Sequence, residues 1–473
     1  MSSSMIPTSW IETTLGSVVD YGATIKVEAV SIENDAWILE LEDIDKNSSK
    51  LNKRATFSDR KSKSTKNKFS EGDVLYGKLR PYLNKTLLAD KDGYCSTEII
   101  PIKTSKHIHN RYLHYSMKRK KFLDYVESAS HGMSMPRLGT KQGQAAPFVL
   151  APLNEQIRIA NKLDSILAKV DKAQARLDKI PAILKRFRQS VLAAATSGEL
   201  TKEWREENAP IKHSEVTGKY ALDWSIVEES ALPESWQWVP LGNYAKCNRG
   251  KFSIRPRNDP SCFDGDYPFI QIGDLPRQGG FIYSHKQTLN EKGYSVSREF
   301  DAGTVVLAIV GATIANTGIT TYPVCFPDSL VGINSASETT NKYLDYHLRA
   351  IKEDIRQASY AGGGQPNIKL TMVNPLPLPL PSEAEIVEIV AKVELLMARA
   401  NKVEKQYFDA KARLDRLTQS ILAKAFRGEL VPQDPNDEPA EKLLERILAE
   451  KEQSEPKKTT LKRTTNAKTA EKE

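Results

Sequence analysis

Apolar or small residues alternate between spacings of three and four along two long segments of the chain. The first segment runs from Ile159 to Ala194 and the second from Ile386 to Ile421. Charged side chains fill most positions between them, so each segment predicts a long helix with one narrow apolar stripe. A helix of about 40 residues is ~60 Å long, which exceeds the width of a small domain. The two stripes are therefore expected to pack against each other.

The rest of the chain has a different pattern. From about 6 to 150 and from about 232 to 380, short apolar runs are broken by Gly, Pro and Asn. Such runs are typical of strands in a mixed domain, and periodic stretches at 110–127 and 341–358 predict short helices between them.

The chain contains two copies of one sequence pattern. The segment 6–16, with Ile-Pro-Thr-Ser-Trp followed by Leu-Gly, recurs at 232–242 as Leu-Pro-Glu-Ser-Trp followed by Leu-Gly. Near the end of each copy, Gln-Ser-Val-Leu-Ala and Gly-Glu-Leu at 189–200 recur as Gln-Ser-Ile-Leu-Ala and Gly-Glu-Leu at 419–430. Each copy is thus one mixed domain followed by one long helix.

Connectivity predicts that the paired helices run antiparallel. The second mixed domain begins shortly after the first helix ends, and the second helix begins where that domain ends. Pro181 lies inside the first stripe, where its ring removes a helical hydrogen bond, and predicts a kink. The residues predicted to pair the helices are Leu163, Ile166, Val170, Leu177, Leu184, Val191, Val393, Leu396, Val403, Tyr407, Leu414 and Ile421.

The predicted fold class is α+β, with two similar mixed α/β domains separated by a pair of long antiparallel coiled-coil helices in a pseudo-twofold tandem repeat. The predicted divisions are a first domain (1–152), a first helix (153–199), a polar connector (200–231), a second domain (232–381), a second helix (382–430), and a C-terminal segment (431–473). That segment should hold a short helix at 440–452 and a disordered Lys/Thr/Glu-rich tail from Ser454.

Composition narrows the class of protein. No stretch of eighteen apolar residues and no signal-peptide pattern is present, so we expect an intracellular, cytoplasmic protein. The 68 Lys and Arg against 60 Asp and Glu give a net charge of +8. Much of this excess lies between Lys50 and Lys68, a run that is typical of a solvated surface but also of a region that attracts polyanions.

Catalytic motifs are absent from the sequence. Residues 72–79 nearly form a phosphate-binding loop, but Leu79 stands where a magnesium-binding Ser or Thr is required. The seven histidines and four cysteines show no zinc-ligand spacing, and no nucleophile–base arrangement stands out. We therefore predict no catalytic residue, no metal site and no cofactor bound by this chain.

The duplicated order of mixed domain and long helix resembles the specificity subunits of type I restriction-modification systems. The resemblance extends from residue 6 to about 450. Its motifs are the Pro-x-Ser-Trp openings, Gly-Asp-Val-Leu at 72–75 with Arg-Pro-Tyr at 80–82, and Ala-Pro-Leu-Asn-Glu-Gln-Ile at 151–157. The second copy departs from the pattern at 381–385, where Pro-Ser-Glu-Ala-Glu opens the helix, and at Thr304, where Asp73 stands in the first copy.

This resemblance implies that each mixed domain is a target-recognition domain reading one half of a split double-stranded DNA site, and that the helices set the gap. It also implies partners: two methyltransferase subunits that use S-adenosylmethionine, and restriction/translocase subunits that use ATP and Mg. Two readers on one face of a duplex are separated by one helical turn or a multiple, ~34 Å each.

Groove chemistry indicates which side chains contact DNA. Lys and Arg reach phosphates or guanine edges, and Asn and Gln pair with adenine. Lys61, Lys63 and Lys66 are assigned to phosphate attraction. The other predicted DNA-binding residues are Lys78, Arg80, Tyr82, Lys85 and Arg137 in the first domain, and Arg249, Lys251, Arg255, Arg257, Asn316, Gln365 and Asn367 in the second.

Two other functions remain open at this point. The chain would be a coiled-coil scaffold bridging two ligand-binding domains if it had no affinity for DNA even with partners. It would be a fused enzyme if it catalysed a reaction alone.

Overall fold

The structure is a computed structural model that describes residues 6–46, 49–132, 134–208, 213–360 and 367–454. The chain forms two compact units that do not follow the order of the sequence. The first unit contains the residues up to Leu177 together with those from Asp409 onward, and the second contains Asp178–Phe408. Each unit therefore takes one mixed domain and parts of both helical segments.

The described strands are β1 (Ile11–Thr14), β2 (Ile25–Val27), β3 (Trp37–Leu39), β4 (Ala55–Thr56), β5 (Lys66–Phe69), β6 (Val74–Gly77), β7 (Thr86–Leu88), β8 (Gly93–Cys95), β9 (Ile99–Ile102), β10 (Pro147–Leu150), β11 (Gln237–Pro240), β12 (Lys246–Arg249), β13 (Phe263–Phe269), β14 (Phe281–Ile282), β15 (Gln287–Leu289), β16 (Glu299–Phe300), β17 (Val305–Ala308), β18 (Thr317–Thr320), β19 (Val324–Cys325), β20 (Leu330–Asn334) and β21 (Pro377–Leu380). The described α-helices are α1 (Leu15–Val18), α2 (Phe57–Arg60), α3 (Asn110–Ser116), α4 (Lys120–Ala129), α5 (Thr140–Gln144), α6 (Leu153–Leu177), α7 (Ile180–Ser197), α8 (Lys202–Glu207), α9 (Leu241–Tyr244), α10 (Glu291–Ser295), α11 (Glu338–Ala350), α12 (Lys352–Tyr360), α13 (Leu370–Val373), α14 (Glu383–Ala425) and α15 (Ala440–Ser454).

Three sheets form the first unit. β1 pairs antiparallel with β10, a five-stranded sheet has the order β2-β5-β8-β3-β4, and a three-stranded sheet has the order β7-β6-β9. All four residues of β6 and of β9 are buried, because both strands lie inside the domain. This burial explains their continuous apolar sequence.

The second unit repeats part of this arrangement. β11 pairs antiparallel with β21, a five-stranded sheet has the order β12-β20-β17-β18-β14, and a four-stranded sheet has the order β15-β13-β19-β16. The strands β17 and β20 are the counterparts of β6 and β9, and their pairing is also antiparallel. The predicted mixed α/β character is confirmed for both domains.

Proline interrupts the first long helical segment. α6 ends at Leu177 and α7 begins at Ile180, with Pro181 in the first turn of α7. A proline is tolerated there because the first helical N–H groups have no intrahelical acceptor. The predicted kink is thus a break between two helices.

The second long segment is one continuous helix of 43 residues, α14, which contributes to both units. Within the second unit it runs antiparallel to α7. Arg188 Nη2 lies 2.9 Å from Glu404 Oε2, while after the end of α7 Thr201 Oγ1 donates to Glu385 Oε1 at 2.7 Å. Later residues of the first helical segment therefore contact earlier residues of α14, which confirms the predicted antiparallel direction.

Burial follows the predicted stripes except at Phe187, Val403 and Leu417, which are 38%, 42% and 46% exposed. Val403 is 42% exposed, so its assignment to helix pairing is wrong. The three-four spacing continues through this position, although the side chain stays exposed. Residues that are buried or packed on the cores include Leu163, Ile166, Val170, Leu184, Val191, Val393, Leu396, Tyr407 and Ile421, while Leu177 and Leu414 are half-buried.

The connector was predicted to be polar, but several of its apolar side chains pack on a core. Leu200, Val216, Ile226 and Val227 pack on the core of the second unit. In the first unit, the C-terminal helix α15 does the same with Ala440, Leu443 and Ile447. Each mixed domain is thus completed by the segment that follows the other copy's long helix. The tail predicted to be disordered lies outside the described residues from 455 onward.

A buried glutamate anchors the start of each long helical segment. In the first unit Glu155 accepts a hydrogen bond from Trp10 Nε1 at 2.7 Å and another from Gln433 Nε2. In the second unit Glu385 accepts from Trp236 Nε1 at 2.9 Å. The altered opening at 381–385 therefore keeps its carboxylate in the corresponding place.

The two predicted short helices are each divided. α3 and α4 replace the single helix at 110–127, and α11 and α12 replace that at 341–358. In α3, Tyr112 Oη donates to Val149 O at 2.8 Å, and in α11 Tyr343 Oη donates to Pro379 O at 2.5 Å. The same tyrosine ties the corresponding helix to the corresponding strand in both copies.

Candidate nucleic-acid interface

In the first domain, the turn between β6 and β7 lies against a loop at 131–138. Arg80 N donates to Pro136 O at 2.7 Å, and Leu138 N donates to Lys78 O at 3.0 Å. Leu79 and Arg137 form an isolated antiparallel bridge. The backbone therefore brings together five residues predicted to bind DNA: Lys78, Arg80, Tyr82, Lys85 and Arg137.

The second domain contains the corresponding pair of segments. Its turn between β17 and β18 (309–316) lies against 367–369, where Val310 and Asn367 form the bridge. Ile368 N donates to Ile309 O at 2.8 Å. Asn316 and Asn367 are thus on one surface, and Gln365 lies outside the described residues.

Both turns use the left-handed backbone region at the same two places. Arg80 and Asn84 have φ of 49° and 47°, and the residues 231 positions later, Gly311 and Ala315, have φ of 78° and 64°. Residues other than glycine rarely adopt this backbone conformation, because it costs them free energy. The shared strained turn indicates that a specific loop shape is retained in both copies.

Side chains of the first surface differ in their exposure to solvent and in whether their polar groups already have a partner. Tyr82 is 48% exposed, and Arg137 is exposed while it pairs with Glu98, Nε to Oε2 at 3.1 Å. Lys78 and Arg80 are half-buried. Lys85 turns back to donate to Leu41 O at 2.6 Å, so its ammonium group already has a partner.

The basic run divides into exposed and buried parts. Lys61 and Lys63 are exposed. Lys66, however, is 3% exposed and its Nζ lies 2.8 Å from Glu40 Oε1, so the proposed phosphate contact by Lys66 is wrong. A lysine at the start of a central strand, β5, points into the domain and is neutralised there by a carboxylate.

A single acidic residue organises the basic loop of the second domain. Arg257 Nη2 lies 2.6 Å from Asp328 Oδ1, and Arg255 Nη2 lies 3.8 Å from Oδ2. Arg249 Nε donates to the backbone O of Asp328 at 2.5 Å. These three arginines are therefore gathered on one turn, while Lys251 is exposed beside them.

A cavity of about 250 Å³ connects this basic loop to the β17–β18 turn. It is lined by Phe252 and Arg257 from the loop, by Val310 from the turn, and by Pro327 and Ser329 on either side of Asp328. The short 3-10 turn Ile272–Asp274 contributes to the same lining. Its lining combines aromatic and aliphatic side chains with polar groups, among them Arg257 and Ser329.

Sequence reasoning missed the carboxylates of this surface. Glu98 precedes β9 and Asp328 precedes β20, which are corresponding strands. Matching the two copies would have placed Asp328 within one position of Glu98. Asp73, by contrast, has a local role: it accepts from Ser70 N at 2.8 Å, and burial raises its pKa, while Thr304 closes the corresponding turn by donating to Asp301 O.

The two domains differ in charge. Residues 6–150 contain 23 Lys and Arg against 17 Asp and Glu, whereas residues 232–380 contain 14 against 13. Attraction of a polyanion is therefore stronger at the first domain. Within the described residues no cluster of His, Cys, Asp and Glu is arranged to hold a metal ion, and no described helix is long and apolar enough to span a membrane.

Comparisons with known proteins point to one family. Residues 233–407 match the family described as type I restriction modification DNA specificity domain. The chain is 30% identical over 416 residues to the type I restriction enzyme EcoBI specificity subunit of Escherichia coli, covering 80% of each chain. It is 32% identical over 330 residues to the EcoDI specificity subunit of the same species, covering 66% of this chain and 70% of the relative.

Among solved structures, the HsdS subunit from Thermoanaerobacter tengcongensis is similar with a TM-score of 0.51 and 19% identity, covering 90% of this chain and 98% of that one. A chain from a study of the assembly and conformational transition of the type I R-M system gives a TM-score of 0.71 at 18% identity, covering 90% and 99%. These similarities show a shared fold.

Proposed function

The chain belongs to the family of type I restriction enzyme specificity subunits, and from this premise we propose that its two domains read the two parts of a split, asymmetric DNA site. Each domain presents one strained turn and one adjoining loop as its recognition surface. This chain is the non-catalytic recognition component, which agrees with a sequence that lacks catalytic motifs.

The observation that carries the proposal is the pair of matching loop surfaces with different side chains. Arg80, Lys85 and Arg137 of the first surface correspond to Gly311, Asn316 and Asn367 of the second. Equivalent backbones place unlike hydrogen-bonding groups at equivalent positions. Such a pair would read two different base sequences, because arginine and lysine favour guanine edges while asparagine favours adenine.

The helical segments are proposed to fix the gap between the two half-sites and to recruit the other subunits. Support comes from α14, a continuous helix that contributes to both units. The proposed partners are two methyltransferase subunits that bind S-adenosylmethionine, and restriction/translocase subunits that use ATP and Mg.

Methylome sequencing tests this proposal. A host carrying the system with and without this chain is compared for adenine methylation. The expected result is a two-part methylated sequence that is present only with the chain. A gel-shift assay with the methyltransferase subunits should then retain a duplex of that sequence selectively. Equal retention of all duplexes, or none, would contradict the proposal and favour a scaffold.

A further inference from the structure

Beside each recognition turn, an exposed arginine is paired with a carboxylate that lies outside the recognition loops. In the first domain, Glu98 receives Arg137 through both Nε, at 3.1 Å from Oε2, and Nη2, at 3.3 Å from Oε1. In the second, Asp328 receives Arg257 Nη2 at 2.6 Å. Both carboxylates stand in the turn before corresponding strands, β9 and β20.

The backbone around the two carboxylates is also shared. Lys78 N donates to Glu98 O at 2.9 Å, and Ile309 N donates to Ser329 O at 3.1 Å. Each carboxylate-bearing turn is therefore fastened to the first residue of the recognition turn. The arginine, its carboxylate and the recognition turn form one connected group in each domain.

A role in general attraction of DNA does not explain these pairs. Attraction of phosphates depends on net positive charge, and pairing the guanidinium with a carboxylate cancels that charge. A base contact requires the plane of the guanidinium to be fixed, because guanine O6 and N7 accept two parallel hydrogen bonds. A carboxylate supplies this orientation.

The arginines keep donors for such a contact. Arg257 uses only Nη2 among the hydrogen bonds of the described residues, and its side chain is 51% exposed at the rim of the cavity. Arg137 uses Nε and Nη2 and is 50% exposed. Arg255, in contrast, donates to two backbone carbonyls, of Phe252 and Ile254, and so supports its own loop.

We infer that Glu98 and Asp328 are positioning residues, which orient Arg137 and Arg257 so that these arginines read base edges in the two half-sites. The inference rests on the proposed function. It extends that function by naming two acidic residues as determinants of sequence specificity.

The test compares the direction in which a substitution changes the affinity for the recognised duplex and for a scrambled duplex. Asp328→Asn removes a negative charge beside DNA, so simple electrostatics predicts tighter binding to every duplex. Loss of orientation predicts instead that the recognised duplex binds about tenfold more weakly, the size of one lost arginine–base contact, while a scrambled duplex binds equally well or more tightly. Glu98→Gln should act in the same way on the other half-site.

The measurement is the dissociation constant of the complex with its methyltransferase subunits, for the recognised duplex and for duplexes with one half-site scrambled. Asp266→Asn, which removes an exposed carboxylate of the second domain, is the control for charge. Asp328→Glu keeps the carboxylate and should restore most of the discrimination. Circular dichroism melting of each variant confirms that the fold is retained.

Each outcome decides the inference. Selective loss of affinity for the recognised duplex, confined to one half-site, supports it. Equal strengthening on both duplexes, as with the control, or equal weakening on both, would overturn it. If the unmodified complex itself does not discriminate between duplexes, the proposed function fails instead.

Discussion

Removing the carboxylate of Glu385 is expected to destabilise the second unit more than the corresponding change destabilises the first. Glu385 is 1% exposed and accepts hydrogen bonds from three segments: Thr201 Oγ1 at 2.7 Å, Arg205 Nη1 at 2.5 Å and Trp236 Nε1 at 2.9 Å. In Glu385→Ala, a guanidinium that is 18% exposed loses its carboxylate.

The magnitude follows from the partners left behind. Breaking a buried ion pair by removing one member costs about 3–5 kcal/mol. Because Arg205 keeps a hydrogen bond to Gly198 O at 2.6 Å, we expect the lower end, ~3 kcal/mol. Glu155→Ala is the matched control, because each change leaves two neutral donors without their carboxylate, Trp10 and Gln433 in the first unit and Thr201 and Trp236 in the second, at about 1–3 kcal/mol for each group left unsatisfied. The guanidinium cost of ~3 kcal/mol is therefore the expected difference between the two variants.

Differential scanning calorimetry measures the two effects, and hydrogen exchange assigns each to a unit. For a unit of this size, 1 kcal/mol corresponds to a shift in Tm of about 2–4 °C, so Glu385→Ala should lower the transition of the second unit by about 6–12 °C more than Glu155→Ala lowers that of the first. Exchange should increase at 198–207 and 232–240. If Glu385→Ala lowers Tm by no more than Glu155→Ala, or leaves exchange at 198–207 unchanged, the stranded guanidinium is not the dominant cost.

Three further predictions concern charge, bases and pH. Lys61→Glu with Lys63→Glu should weaken binding to all duplexes alike and reduce the salt dependence of the association constant; a loss confined to one sequence would contradict phosphate attraction. Asn316→Ala should cost about 1–3 kcal/mol of discrimination in one half-site only, measured by binding to single-base variants; an equal loss in both half-sites would refute the assignment. Asp437 is paired with Arg158, which lowers the pKa of this carboxyl below its ordinary value of 3.8, so the stabilisation it provides is complete above that value and is lost as pH falls through the lowered pKa. Hydrogen exchange of α15 between pH 6 and pH 2, corrected for the intrinsic exchange rate, checks this. Asp437→Asn should reduce that pH dependence and leave the part that belongs to Glu450, whose pKa is lowered by His107 and Lys106.

Local patterns in the sequence predicted the helices and their interruption well. The three-four spacing identifies the apolar face of a helix directly. Pro181 indicates a helix start, because proline is tolerated in the first turn of a helix but not in its interior. The turns after β6 and β17 were singled out because basic and amide residues follow buried strands in each copy, and their contact with DNA stays a prediction. These signals depend on residues that are close in sequence.

Long-range pairing could not be predicted in the same way. Lys66 belongs to a run of basic residues, and only the placement of β5 brings it to Glu40. Arg257 meets a carboxylate 71 positions away, for which no spacing rule exists. Val403 satisfies the helical period, but its exposure depends on which side chains face it in the folded unit.

Duplication of one domain offers a physical route to an asymmetric DNA reader. The tyrosine and glutamate anchors that hold each scaffold are kept in both copies, as are the strained positions of the recognition turn, because a change in any of them would cost stability in its own unit. The side chains on that turn differ between the copies, since Arg80 and Lys85 of the first correspond to Gly311 and Asn316 of the second. One backbone turn therefore carries side chains of different chemistry in the two domains, which is what reading two unlike half-sites requires.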